Sequence, residues 1–265
     1  LRSPGARMAL DMALHDLWAN AAGRPLVDLL GRCHDAMPTS VTIGIGDVAM
    51  TLREAREHTA RGFTVLKIKI GQDLDLDLER LVRLRECVGN GIRVRVDGNV
   101  GYRPPQLLRL LAATRSLDLE FVEQPLPRDS IAAQGALPQA LAETLMADES
   151  LHDVADARRL AAPPRPFGSF NIKLAKCGGI APARDIAAIA DEAGIGVMWG
   201  CMDESRIASA AALRAAFSCA ATRWIDLDGH LDLAADFATG GFELENGVLR
   251  PLDRPGLGLV ATGDW

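Results

Sequence analysis

Five charged residues recur along the chain at a nearly constant interval. Lys69, Asp97, Glu123, Asp148 and Lys173 are separated by 28, 26, 25 and 25 residues. Each closes a short run with the alternation of a β-strand, such as Val-Leu-Lys-Ile-Lys69 or Arg-Val-Arg-Val-Asp97. Asp226 closes another such run, and Asp228 follows it. Residues 92–99 are the clearest instance, a strand ending in Asp97 and broken at once by Gly98. A step of this length holds one strand and one helix. Polar residues at the carboxyl ends of successive parallel strands are where a (β/α)-barrel collects its chemistry.

Side chains alternate along a strand, so Lys67 shares a face with Lys69, Asn171 with Lys173, and Asp226 with Asp228. Turning Lys67 and Lys69 outward would turn Leu66, Ile68 and Ile70 inward with them, a whole-strand inversion. In a closed eight-stranded barrel the second and sixth strands are opposite. Lys69 and Lys173 then face each other across the mouth, with Asp97, Glu123 and Asp148 on the strands between. Asp226 and Asp228 lie opposite Glu123.

Three carboxylates converging from adjacent strands repel one another unless a positive charge sits among them. Oxygen donors without nearby His or Cys suit a hard cation, Mg²⁺ first and Mn²⁺ second. The plainer alternative is ion pairing with Arg93, Arg95 or the lysines. Glu149 and Asp203 fall off the inward parity or beyond a strand end and are not expected as ligands. His15 and Cys177 read as structural residues, since neither has a partner positioned for catalysis.

A cation on one wall and a lysine on each flank suit proton abstraction next to a carboxylate. One neutral lysine takes the α-proton while the cation offsets the developing enolate charge, and the opposite lysine returns a proton to the other face. That inverts a stereocentre. The base must have a lowered pKa, which a cationic neighbour supplies, and Lys67 with the cation is placed to do so for Lys69.

The elements that must hold these residues follow from periodicity. Residues 6–22 and 26–30 read as helices, ended by Gly23-Arg-Pro25 and Gly31. Strands are expected at 40–45, 65–70, 93–97, 120–123, 144–147, 170–174, 195–199 and 223–227. Helices are expected at 50–60, 76–88, 104–114, 129–141, 151–160, 180–193 and 204–219. Strands alternating with helices imply an α/β fold with a closed parallel sheet, a (β/α)7β TIM-like barrel. No eighth helix follows. Residues 237–265 are expected to form a tail outside the barrel, with a hairpin near 243–249.

Composition narrows the classes. With 48% hydrophobic and 24% charged residues the chain is suited to a packed core rather than disorder. A formal charge of −6 and the lack of a basic run argue against nucleic acid as a partner. No apolar run approaches the ~18 residues of a membrane span. Five scattered cysteines without a C-x-x-C pair fit reduced thiols and a cytoplasmic enzyme.

The motifs Lys67-Ile-Lys69, Asp97-Gly-Asn99, Glu123-Gln-Pro125, Ala147-Asp148-Glu149-Ser150 and Asn171-Ile-Lys173-Leu-Ala-Lys176-Cys-Gly-Gly179 occur in one order. As a set they resemble the enolase superfamily in its muconate-lactonizing-enzyme branch. Gly200-Cys-Met202, followed by Asp226-Leu-Asp228-Gly229, is similar to the dipeptide epimerases, including those acting on Ala-Glu dipeptides.

The resemblance implies Mg²⁺ at Asp97, Glu123 and Asp148, with Lys69 and Lys173 as paired acid/bases in a 1,1-proton transfer. It implies Lys67 near the substrate carboxylate, Asp226 and Asp228 on the dipeptide ammonium, and Thr42 and Cys201 lining the site. It also implies an N-terminal capping domain. Only its last helix has a counterpart here, so residues 1–36 are expected as its remnant, 37–236 as the catalytic barrel and 237–265 as the tail. Members are often assemblies, but no surface stripe here argues for a homo-oligomer, and the oligomeric state stays open. Other members are cycloisomerases, o-succinylbenzoate synthases and N-acyl amino acid racemases. Asp226-x-Asp228 argues against these, because their substrates carry no ammonium group for two carboxylates to hold. A barrel that binds a ligand without catalysis is the remaining alternative.

Overall fold

In a computed structural model, residues 2–263 are described; Leu1 and Trp265, the outer limits of the expected terminal segments, lie outside them. Helix α1 (Pro4–Ala21) and the short α2 (Leu26–Leu30) come first, then strand β1 (Met37–Pro38). The barrel follows as β2 (Val41–Ile43), α3 (Val48–Ala60), β3 (Val65–Lys69), α4 (Leu74–Val88), β4 (Arg93–Asp97), α5 (Pro104–Ala113) and β5 (Leu119–Glu123). Its second half is α6 (Ile131–Gly135), α7 (Gln139–Ala142), β6 (Leu145–Ala147), α8 (Val154–Ala161), β7 (Ser169–Ile172), α9 (Leu174–Cys177), α10 (Ile180–Glu192), β8 (Gly196–Gly200), α11 (Arg206–Phe217) and β9 (Thr222–Asp226).

Strands β2 to β9 pair in sequence order as one parallel sheet of eight. The sheet closes where Thr39 bridges Ile225 and the Ser40 amide donates to the Ile225 carbonyl at 3.3 Å. The (β/α)7β reading therefore holds, with β9 followed by no barrel helix among the described residues.

Carboxylate caps set several helix starts. Asp47 accepts from the Met50 amide, Asp73 from Asp75 and Leu76, and Asp153 from Asp156. Apolar periodicity alone places these starts two or three residues off.

The single helix expected at 129–141 is corrected. The segment is a 3-10 turn (Arg128–Ser130) and then α6 and α7, because Pro138 cannot continue a helix and Gly135 ends the first piece. The strand expected at 170–174 stops at Ile172, and Lys173 is the N-cap of α9. Asp228 likewise lies past β9, at the head of a 3-10 turn.

Two apolar layers fix the barrel. Leu66, Ile68, Val94, Val96, Val122 and Ile172 face outward into the core shared with the helices. Phe121, Met146 and Met198, packed with Trp224, plug the interior below the charged rim. Arg95 belongs to this floor. It is 1% exposed, stands over the Phe121 ring, donates to Glu120 Oε2 at 2.7 Å, and reaches Ser40 Oγ and the Ile225 carbonyl. Glu120 is thus the counter-charge that lets an arginine sit inside the barrel, and Arg93 pairs with it more loosely at 3.8 Å. Glu120→Ala would strand that buried guanidinium. It is expected to cost about 3 kcal/mol, read as a lower urea midpoint at unchanged m-value.

The tail comprises β10 (Ala238–Gly240), β11 (Phe242–Glu245), β12 (Val248–Pro251) and β13 (Leu259–Ala261). β11 and β12 form the expected hairpin, turning at Asn246 and Gly247 with φ of 50° and 75°, as a two-residue hairpin turn requires. β1 adds to β12, β10 pairs with β13, and Arg206 and Arg214 of α11 donate to the Gly240, Gly241, Phe242 and Leu252 carbonyls. Among the described residues, no helix is long and apolar enough to cross a membrane.

Candidate active site

Strand register assembles the charged rim. Lys69 is level with Asp97, Asp97 with Glu123, and Thr42 with Lys67. Glu123 is level with Met146, so Asp148 projects one layer higher than the other two carboxylates. The mouth opens into a cavity of about 490 Å³ whose walls include Thr42, Lys67, Lys69, Lys173, Cys201, Asp226 and Asp228. A larger apolar groove of about 750 Å³ lies between α1 and the tail. Its single carboxylate, Asp16, is engaged by the Leu257 amide. The chemistry belongs to the smaller cavity.

Within that rim, Lys67 is a buried hub. Its ammonium lies 3.1 Å from Asp97 Oδ2, 2.9 Å from Glu123 Oε2 and 2.9 Å from Asp226 Oδ2. Burial works to lower its pKa, and the surrounding Asp226, Glu123 and Asp97 outweigh that and raise it well above the ordinary lysine value. Lys69 is the accessible one, its side chain 38% exposed against 4% for Lys67. Its ammonium donates to Asn99 Oδ1 at 3.1 Å and stands 3.6 Å from Asp97.

Across the mouth, Lys173 donates to Asp148 Oδ2 at 2.7 Å, and Lys176 binds Asp148 through both its carboxylate and its carbonyl. Burial opposes charge on Lys173, yet the Asp148 carboxylate prevails and raises its pKa, the reverse of the lowering expected of a base, so Lys173 is set here as the protonated partner. Burial likewise works to raise the Asp148 pKa, while Lys176 and Lys173 hold it far below the usual carboxylate range.

On the far wall, burial followed by the Asp226 charge pushes the Asp228 pKa up to about 6. Asp228 accepts from the Thr42 amide at 2.8 Å, and Asp226 accepts from Ser40 at 2.6 Å and from Lys67. Burial, then Asp228, keeps the Cys201 thiol neutral, and it contacts the Asp226 carbonyl at 3.2 Å.

Among the described residues, no three His, Cys, Asp or Glu groups converge unaided on one metal-sized point. The Lys67 ammonium sits between Asp97 and Glu123, and Lys173 and Lys176 draw Asp148 aside. The donor chemistry nevertheless fits a hard divalent cation. Asp97 Oδ2 and Glu123 Oε2 are buried without a hydrogen bond of good geometry, as is Glu149 Oε2. Burial and the Asp97 charge push the Glu123 pKa up to about 8, despite Lys67 beside it. Four ammonium groups (Lys67, Lys69, Lys173, Lys176) face six carboxylates (Asp97, Glu123, Asp148, Glu149, Asp226, Asp228). With all of these groups ionised the cluster is formally two positive charges short, which one divalent cation offsets; without the cation, the raised Glu123 carboxyl holds a proton and removes part of that deficit.

Several participants escape a reading by strand parity. Lys176 is one helical turn after Lys173, a relation visible only once the strand is seen to end at Ile172. Asn171, which parity does place on the face of Lys173, donates to Glu123 Oε1 at 2.6 Å, a partner that parity does not name. Gln124 accepts from the Asp148 and Ser150 amides, fixing the turn that carries Asp148. Glu149, off the inward parity, still reaches the rim through Asn99 at 3.4 Å. His15 binds Asp11 on α1, far from the rim, and Cys177 is buried against the Leu174 and Gly179 carbonyls. Both are packed residues, as expected.

Comparison with known proteins agrees with this geometry. The family described as Enolase C-terminal domain-like matches residues 50–265. The L-Lys-D/L-Arg epimerase of Methylococcus capsulatus is 59% identical over 258 residues, 97% of this chain and 72% of that protein. The L-Ala-D/L-Glu epimerase of Bacillus subtilis is 33% identical over 260 residues, 97% of this chain and 71% of that one. A crystal structure of the dipeptide epimerase from Methylococcus capsulatus, complexed with Mg and the dipeptide L-Arg-D-Lys, superposes with a TM-score of 0.96 at 59% identity, covering 97% of this chain and 73% of that one. The chain belongs to the enolase C-terminal domain-like family.

Proposed function

We propose that this chain is a Mg²⁺-dependent dipeptide epimerase that inverts the α-carbon of the C-terminal residue, with a preference for cationic dipeptides. The observation that carries the reading is one cavity with Lys69 and Lys173 on its walls and, beside it, a buried carboxylate cluster that outnumbers its ammonium partners. Asp97, Glu123 and Asp148 would hold the cation. Bound there, it supplies positive charge for the substrate carboxylate and the enolate-like charge that builds on it.

The chain's own residues do the rest. Lys69 or Lys173 accepts the α-proton on one face, and the other delivers a proton to the opposite face. Asn99 orients the Lys69 ammonium, and Asp148 orients that of Lys173. Asp228 keeps acceptor capacity toward the cavity for the substrate ammonium. Asp226, engaged by Lys67 and Ser40, adds negative charge behind it. Lys67 neutralises the cluster and lies near the substrate carboxylate, while Thr42 and Cys201 line the same space.

Preference for positive side chains is supported by Asp203 and Asp232, which line the same cavity as Asp226 and Asp228. It is also supported by the names of the relatives with 59% and 53% identity, both L-Lys-D/L-Arg epimerases. Residues 1–36 are read as the end of a capping domain, 37–236 as the barrel and 237–265 as the tail. The exposed Leu10, Leu14, Leu17 and Trp18 on α1 support the first of these assignments.

Chiral chromatography after incubation with Mg²⁺ tests the substrate assignment. Conversion of L-Arg-L-Lys at least about tenfold faster than L-Ala-L-Glu is expected, since one fully satisfied charge pair is worth more than 1.4 kcal/mol. Preference for the acidic dipeptide would overturn it.

A further inference from the structure

We infer that Arg80 is a positioning residue for Lys69, acting through the main chain without touching substrate. The inference rests on Lys69 being one of the two acid/bases.

Arg80 projects from α4 and is fully buried. Its Nε donates to Thr51 Oγ1 at 2.9 Å, one terminal nitrogen donates to the Lys69 carbonyl at 2.8 Å and to Asp77 Oδ1 at 3.2 Å, and the other donates to the Gly44 carbonyl at 2.7 Å. Two of these acceptors, Lys69 and Gly44, are main-chain oxygens of residues that line the cavity. Asp77 carries the network onward. Its second oxygen accepts from the Gly71 amide at 2.9 Å and from the Tyr102 hydroxyl at 2.7 Å, and the Tyr102 amide donates to the Pro125 carbonyl at 3.0 Å. One buried guanidinium and one carboxylate thus tie together the loops that leave β2, β3, β4 and β5.

The fit around Lys69 is close. Gly71 has φ of 113°, and a Cβ there would meet the Gly98 carbonyl oxygen at 2.3 Å; one on Gly101 would meet the Gly71 carbonyl oxygen at 2.1 Å. The loops after β3 and β4 therefore interlock with no slack. On the cavity side, Asn99 holds the Lys69 ammonium and is itself fixed by its amide on Asp97 Oδ1 at 3.0 Å. Lys69 is gripped in front through its side chain and behind through its carbonyl.

Two features separate this arrangement from a purely stabilising ion pair. A buried pair contributes no more to stability than apolar residues of the same volume, yet here the guanidinium fork is aimed at two main-chain oxygens of the cavity wall. The network is also one-sided. Lys173 is held by Asp148 and by the start of α9, and Arg80 touches neither. A loosened Arg80 network should therefore harm one base and spare the other.

The test uses the full chain loaded with Mg²⁺ and both epimers of the Arg-Lys dipeptide, with α-hydrogen exchange in D₂O followed separately for each. Arg80→Lys keeps the charge and loses the fork. Exchange from the epimer that Lys69→Ala silences is expected to fall roughly tenfold or more, with kcat falling and KM nearly unchanged. Exchange from the other epimer should change by no more than about twofold. Tyr102→Phe, which removes only one bond to Asp77, should shift the same ratio in the same direction by less. Equal losses from both epimers in both variants would overturn the inference and leave Arg80 a stabilising residue. Should Arg80→Lys not fold, Tyr102→Phe alone decides. Its Gly71 amide should exchange faster than in the parent protein without Mg²⁺, and an unchanged amide with an unchanged epimer ratio would overturn the inference. Silence of the unsubstituted chain toward every dipeptide is a different result, and it would remove the reading of the site itself.

Discussion

Lys69→Ala is expected to stop inversion in both directions while leaving one epimer still exchanging its α-hydrogen with solvent. Each lysine serves one face of the α-carbon. Without Lys69, Lys173 can still take a proton from the epimer that faces it and return one to the same face, so deuterium enters without inversion. Lys173→Ala should give the mirror result with the other epimer. The loss of inversion should be roughly a thousandfold or more, the upper part of the range for removing a positioned acid or base. Neither change should unfold the protein. Lys69 is partly exposed, and Asp148 keeps Lys176 when Lys173 is removed. NMR of each epimer in D₂O reads both quantities. Loss of exchange from the same epimer in both variants would rule out bases on opposite faces.

The second large effect is electrostatic and is visible without turnover. Burial, together with the charge of Asp97, raises the Glu123 pKa from 4.5 to about 8. A carboxyl whose folded pKa is raised contributes stability that is fully present below 4.5 and is lost as pH rises through about 8. Without a divalent cation, stability should therefore fall between about pH 6.5 and 8, by an amount on the order of 1–2 kcal/mol.

Asp148 does not act in that window, because its depressed carboxyl loses its contribution only on strong acidification. Asp228, raised to about 6, has mostly titrated below it. Added Mg²⁺ should restore the loss, so the rise in melting temperature should be larger at pH 8 than at pH 6.5. Glu123→Gln should reduce both the pH slope and the response to Mg²⁺. Equal Mg²⁺ stabilisation at the two pH values, in both proteins, would contradict this account of the cluster.

Much of the architecture is readable from the chain because a (β/α) repeat of constant length places charged residues at strand ends. Strand parity correctly points Lys67, Lys69, Asp97, Glu123, Asp226 and Asp228 toward one mouth. It does not reveal heights. The stagger that pairs Glu123 with Met146 lifts Asp148 a layer, and this brings it to Lys173 and Lys176 rather than flush with Asp97 and Glu123.

Residues acting across long separations are the ones a linear reading misses. Glu120 explains Arg95 only once β4 and β5 are adjacent. Arg80 looks like an ordinary helix charge until the Lys69 and Gly44 carbonyls are seen beside it. Where the helix after β5 breaks is likewise set by Gly135 and Pro138 competing with a weak apolar pattern.

The central claim is that two lysines share one α-carbon. The most direct measurement is proton NMR of L-Arg-L-Lys with the unsubstituted chain and Mg²⁺ in D₂O. Deuterium entering the α-position of the C-terminal residue, with the L,D epimer appearing alongside, is the expected result. No deuterium at that position, with the Mg²⁺-dependent rise in melting temperature demonstrated in the same sample, would contradict it.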